Sequence, residues 1–176
     1  HSMNQLQKGE DIMNSKRNFH ILIDTLKDTT VLSIRDTISM DNIGNLIGKV
    51  FENIYRNGLS PSGNIRTIYY DQDFDQNSDS DFDHNNADIE VCIPVNRQLK
   101  TDAVSTKVLK GGLYVHTTFI GPYSEIGEAY AELLDWINKS SYKIAGPPHD
   151  EYIKGPDSKC SHNEFVTEVY VPINKK

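Results

Sequence analysis

Ile89-Glu90-Val91-Cys92-Ile93-Pro94-Val95 and Thr167-Glu168-Val169-Tyr170-Val171-Pro172-Ile173 read as two versions of one strand, 78 residues apart. Working outward, Ile43-Gly44 matches Ile126-Gly127 at an offset of 83, each opening an amphipathic run. Leu32 to Ile38 matches Tyr114 to Ile120 at an offset of 82. Three matched blocks in the same order indicate a tandem duplication. The offset drops before the closing strands because the first copy carries an aspartate-rich insertion.

In the first copy Ile43, Leu46, Ile47, Val50, Phe51, Ile54 and Tyr55 form one helical stripe. Asp41 reads as its N-cap and Gly58 as its C′ stop. In the second, Ile126, Ala129, Tyr130, Leu133, Leu134 and Ile137 repeat the spacing, with Ser124 as cap. Flanking segments alternate with period two, as in Phe19-Ile21-Ile23, Leu32-Ile34 and Leu113-Val115-Thr117-Phe119. The pattern predicts an α+β fold of two βαββ units. One helix per repeat covers an antiparallel sheet, and a central cleft lies on the pseudo-twofold. Repeat one spans about 19–96, with an acidic insertion at 71–88, and repeat two about 101–174, in a single domain over 19–176. Residues 1–18 read as a cloning scar (His1-Ser2) followed by a tail or a linker remnant, since Gly9 and Asn14 interrupt any helix.

The 176 residues carry a net charge of −7 and a mean hydropathy of −0.54. Seven of the 25 acidic residues lie between Asp71 and Asp88, where there is no Lys or Arg; the remaining 18 equal the 18 basic residues. A near-neutral body with one acidic loop argues against direct nucleic-acid contact, which needs a basic stripe. No apolar run is long enough to span a bilayer, and no signal-peptide pattern opens the chain. Cys92 and Cys160 are too few for a disulfide framework, so a reducing cytoplasmic location is expected. No cofactor is expected. Asp79 to Glu90 imitates a calcium loop, but His84 stands where the loop needs glycine. Cys160, His162 and His149 lack a second ligand pair for zinc. Gly111-Gly112 reads as a hairpin turn.

Strand alternation places Glu168, Tyr170 and Pro172 opposite the apolar Val169, Val171 and Ile173, on the face that lines the cleft. A carboxylate buried there needs a partner; the alternative is an exposed sheet-face glutamate. Its repeat mate is Glu90. One of Tyr69 and Tyr70 faces the same way, and Tyr70 is taken as the candidate wall residue. Trp136 sits off the centre of its helix stripe, as core edge or pocket wall.

Gly121-Pro122-Tyr123-Ser124-Glu125-Ile126-Gly127, the helix ending Leu133-Leu134-Asp135-Trp136-Ile137, the Gly146-Pro147-Pro148 turn and the closing Thr167 to Ile173 together resemble the GyrI-like effector-binding domain. This domain stands at the C-terminus of MerR- and AraC-type transcription regulators and also occurs alone. The resemblance covers Phe19 to Ile173. It implies an aromatic-walled pocket on the pseudo-twofold, with Glu168 pairing cationic groups of lipophilic ligands and Tyr123 as a pocket tyrosine. Tyr170 and Trp136 would add aromatic surface. The leading expectation is therefore a non-enzymatic module for amphipathic, cationic molecules, attached in a regulator to a DNA-binding domain. Two alternatives stay open: a hydrolase of small electrophilic compounds with Glu168 as general base, and an inhibitor that sequesters a protein target through its acidic loop. The chain departs from the family pattern in that loop and in lacking a preceding helix-turn-helix.

Overall fold

A computed structural model describes residues 17–71 and 83–176. Residues 72–82, which hold most of the acidic insertion and the first four positions of the imitation calcium loop, lie outside that range, as does most of the 1–18 tail. The elements run β1 (Leu22–Leu26), β2 (Thr29–Ile38), α1 (Ile43–Arg56), β3 (Arg66–Tyr69), β4 (Ala87–Pro94), β5 (Lys107–Leu109), β6 (Gly112–Ile120), α2 (Gly127–Lys139), β7 (Tyr142–Ile144), β8 (His149–Lys154) and β9 (Val166–Lys175). The sheet order is β1-β6-β9-β8-β3-β4-β2-β5, antiparallel throughout, with β7 on β9. Read from either end the order maps one repeat onto the other: β2 onto β6, β4 onto β9, β3 onto β8. The duplication is thus visible in the topology, and its axis runs between the paired β3 and β8.

Register corrects one of the sequence offsets. Ser33 lies opposite Cys92 and His116 opposite Tyr170, so β2 maps onto β6 at 83, not 82. The difference matters because a one-residue slip exchanges the two faces of a strand. At 83, Leu32 corresponds to Val115, and both are buried toward the helices.

Each helix covers its own repeat. Leu46, Val50 and Ile54 of α1 pack with Leu32, Ile89, Val91 and Ile93. Ala129, Tyr130, Leu133 and Ile137 of α2 pack with Val115, Phe119, Val169 and Val171. Tyr55, at the edge of the first stripe, is 64% exposed. The helix stop holds: Gly58 has φ +68°, its N–H reaches Tyr55 O, and Leu59 N–H reaches Ile54 O, a Schellman closure. The two predicted caps do not. Asp41 and Ser124 each fall inside a 3₁₀ turn, Met40–Asn42 and Tyr123–Glu125, that precedes the α-helix. In the first of these, Ser39 supplies the capping oxygen to Asp41 N–H. No helix of the described residues is long and apolar enough to cross a membrane.

Gly111-Gly112 is not a hairpin turn either, because β5 pairs with β2 and β6 with β1. Only two residues join β1 to β2 and only two join β5 to β6, although β1 and β5 stand at opposite edges. The edges must therefore approach each other, and the sheet curls into a half-barrel with the helices outside. At the crossing a Cβ on Gly111 would stand 2.0 Å from Leu26 O, so only glycine fits. Gly111 N–H donates to Asp28 there at 2.9 Å.

Candidate functional site

The two faces of this sheet carry two different polar clusters. Inside the curl, away from the helices, Glu168 lies with His116 Nδ1 at 2.7 Å from one oxygen and Thr118 donating to the other at 2.6 Å. His116 Nε2 is in turn 2.6 Å from Asp24. Tyr170 stacks on His116 at 4.9 Å and donates to Glu151 at 3.0 Å. Glu90 in the first repeat accepts from Ser33 at 2.6 Å and Tyr70 at 2.5 Å, and pairs with Lys107 at 2.5 Å. Burial works to raise its pKa, but Lys107, Ser33 and Tyr70 together hold it below the usual carboxylate range. The repeat mates Glu90 and Glu168 are therefore both partnered by neighbouring strands, as burial of a carboxylate requires.

Tyr123 is elsewhere. Its ring lies 5.7 Å from Tyr152 and 5.1 Å from Phe165. Tyr152 pairs with Thr167, one residue out of phase with the Glu151–Glu168 pair, so it belongs to the helix-side face. Tyr123 thus packs against helix-side residues, whereas Glu168, Tyr170 and Tyr70 lie in the networks inside the curl. Trp136 stacks on Tyr142 at 5.9 Å, at the margin of the second core.

The helix-side cluster sits on the pseudo-twofold itself. Asp150 of β8 faces Thr67 of β3 across the seam between the repeats and is 2% exposed. Tyr69, from repeat one, donates its hydroxyl to Asp150 Oδ2 at 2.8 Å. Tyr130, from α2, donates to the other oxygen. Beside them Tyr152 and Thr67 share a hydrogen bond of 2.9 Å across the same seam. Thr167, fully buried, has an unpartnered Oγ1 on this face among the described residues. Burial pushes the Asp150 carboxyl up to about 6, against the opposing pull of the two tyrosine hydrogen bonds. The Tyr69 and Tyr130 hydroxyls are driven well above their ordinary range by burial and by the Asp150 charge. They remain O–H donors at all ordinary pH.

Asp150, Tyr152 and Phe165 were not among the residues the sequence pattern selected. The signal was present in the duplication. Offset 83, carried onto β3, pairs Thr67 with Asp150 and Tyr69 with Tyr152 on the inward side of each helix.

The GyrI-like small molecule binding domain family model matches residues 20–174. The chain belongs to that family. In solved structures it is similar to EcmrR in an EcmrR–DNA complex, at 20% identity and TM-score 0.80, covering 99% of this chain and 65% of that one. It also resembles the isolated EcmrR C-terminal domain, at 22% identity and TM-score 0.79, with 91% and 100% coverage. The chain thus spans 65% of EcmrR in the DNA complex and the whole length of the isolated EcmrR C-terminal domain. A hydrolase from Listeria innocua shares the fold at 12% identity and TM-score 0.64, covering 96% of this chain and 98% of that one. SAV2435, solved bound to tetraphenylphosphonium, does so at 12% identity and TM-score 0.53, covering 88% and 94%. No curated protein matches significantly.

Proposed function

We propose that this GyrI-like domain binds amphipathic organic cations at the seam between its repeats, with Asp150 as the counter-charge. The observation that carries this is a carboxylate buried on the pseudo-twofold with tyrosines around it and no cationic partner among the described residues. An isolated buried charge is costly, and an entering cation would offset that cost while tyrosine faces supply cation–π contact. Tyr152 adjoins the cluster through Thr67, and Tyr123 packs on Tyr152 and Phe165, so these rings would stack on a ligand's aromatic surface. Tetraphenylphosphonium, the ligand of the structurally similar SAV2435, is a suitable probe.

The seam is also where binding would have mechanical consequence. Tyr69 belongs to one repeat and Tyr130 to the other, so a ligand that parts them changes how the halves meet. In a longer regulator that change would bias the orientation of an attached DNA-binding domain by differential affinity for two states. Glu168 and Tyr170, inside the curl, keep a structural role in this reading. The test is calorimetric titration with tetraphenylphosphonium and a neutral isostere, tetraphenylmethane being replaced by a soluble triphenyl carbinol derivative. Asp150→Asn should weaken the cation at least tenfold and the neutral compound little. Equal weakening of both, or none, would overturn the assignment.

A further inference from the structure

We propose that at mildly acidic pH the seam site exchanges a proton for its effector: the empty site then holds Asp150 as the neutral acid, and an entering cation expels that proton to solvent. The inference rests on the binding site proposed above and concerns how that site is regulated.

The geometry supplies the reason. The groups that face Asp150 are Tyr69 and Thr67 from β3, Tyr130 from α2, and Tyr152 two residues along its own strand. β9 presents Val169 opposite it, and the buried face of α1 is Leu46, Val50 and Ile54. No Lys, Arg or His of the described residues forms an ion pair with it. His149 is next in sequence, but alternation sends it to the other face, against Tyr114 at 5.4 Å. Burial also holds His149 down to about 3, so it brings no charge.

Two phenol hydroxyls can donate to a carboxylate, and a phenol oxygen can equally accept from a carboxylic acid. The pocket therefore accommodates both protonation states with the same side chains, and nothing within it fixes the charge. Burial sets the balance near pH 6. A permanent cation against Asp150 favours the anion, so binding and proton loss are linked. The balance is simple: the carboxylic O–H bond breaks, the proton leaves to buffer, and the carboxylate pairs with the cation. Net charge inside the seam stays at zero before and after. Effector affinity should accordingly rise with pH up to the range where Asp150 is already ionised, and then level off.

Tetraphenylphosphonium does not titrate, so any proton released on binding comes from the protein. Calorimetry at pH 5.5 in acetate and in Mes, which differ in ionisation enthalpy, counts it. About three quarters of a proton should leave per ligand at pH 5.5 and almost none at pH 8, with affinity about tenfold higher at pH 8 than at pH 5. Asp150→Asn, checked for a native circular dichroism spectrum, should abolish both effects. Carboxyl ¹³C shifts of the unliganded wild-type protein, labelled at aspartate, should show one buried group titrating near pH 6. Saturable binding with the same enthalpy in both buffers, or affinity independent of pH, overturns the exchange while leaving the binding site intact. Absence of any cation binding overturns the site, and this inference with it.

Discussion

Replacing Asp150 by Asn should remove a pH dependence of stability that runs opposite to that of ion-paired carboxylates. The folded carboxyl sits at about 6, above its unfolded value of 3.8, because burial disfavours the anion. The folded state therefore binds more protons than the unfolded state across this window, and wild-type stability falls as pH rises through it. Between pH 4 and pH 7.5 the linkage amounts to roughly 2 kcal/mol. Asn has nearly the same shape, still accepts from one tyrosine and does not titrate. The stability difference, Asn variant minus wild type, should therefore grow by about 2 kcal/mol in favour of Asn from pH 4 to pH 7.5. Subtracting the two proteins cancels Asp28, Asp88 and Glu90, whose depressed values act the other way in both. Urea unfolding of both proteins at four pH values measures it. A difference that is flat with pH, or that moves in favour of the wild type, would show that Asp150 is ionised and well solvated in the folded protein.

Other expectations follow from the same geometry. Tyr69→Phe removes one of the two donors to Asp150 and should cost about 1 to 2 kcal/mol in urea unfolding. Gly111→Ala drives a methyl into the Leu26 carbonyl, so the variant should lose more than about 3 kcal/mol or fail to fold, as expression and circular dichroism would show. Glu168→Gln alters the His116–Thr118 network but lies across the sheet from Asp150; tetraphenylphosphonium affinity should stay within about twofold of wild type. Cys92 is buried, and burial pushes its thiol up to about 12, so thiol titration of the native protein should label Cys160 alone until denaturant is added.

The duplication was the most legible feature of the sequence, because apolar strands and helix stripes repeat where buried faces repeat. The closing strands, both helix bodies and the Gly58 stop could be read directly from pattern. The capping residues could not. Asp41 and Ser124 look like caps, yet a 3₁₀ turn precedes each helix, and in the first Ser39 supplies the side-chain oxygen instead. The curl was hidden as well: Gly111-Gly112 resembles a tight turn, and only strand pairing reveals two short links crossing between sheet edges. The site was half legible. Glu168 stands out as a carboxylate in an apolar strand, and it does have the partners that such a position demands. Asp150 does not stand out, because His149-Asp150-Glu151-Tyr152 reads as a polar stretch in which one carboxylate resembles the next. What distinguishes it is the meeting of Tyr69 and Tyr130 from distant parts of the chain, 81 and 20 residues away. Local pattern carries no record of that convergence.

The most direct test of the seam as the binding site is a crystal structure of the domain soaked or co-crystallised with tetraphenylphosphonium. If Asp150 is the counter-charge, the phosphonium lies between the helices within about 6 Å of its carboxylate, with phenyl groups against Tyr123, Tyr152 or Phe165. A ligand seated inside the curl against Glu168 and Tyr170, with the Tyr69–Asp150–Tyr130 bridge unchanged, would contradict it.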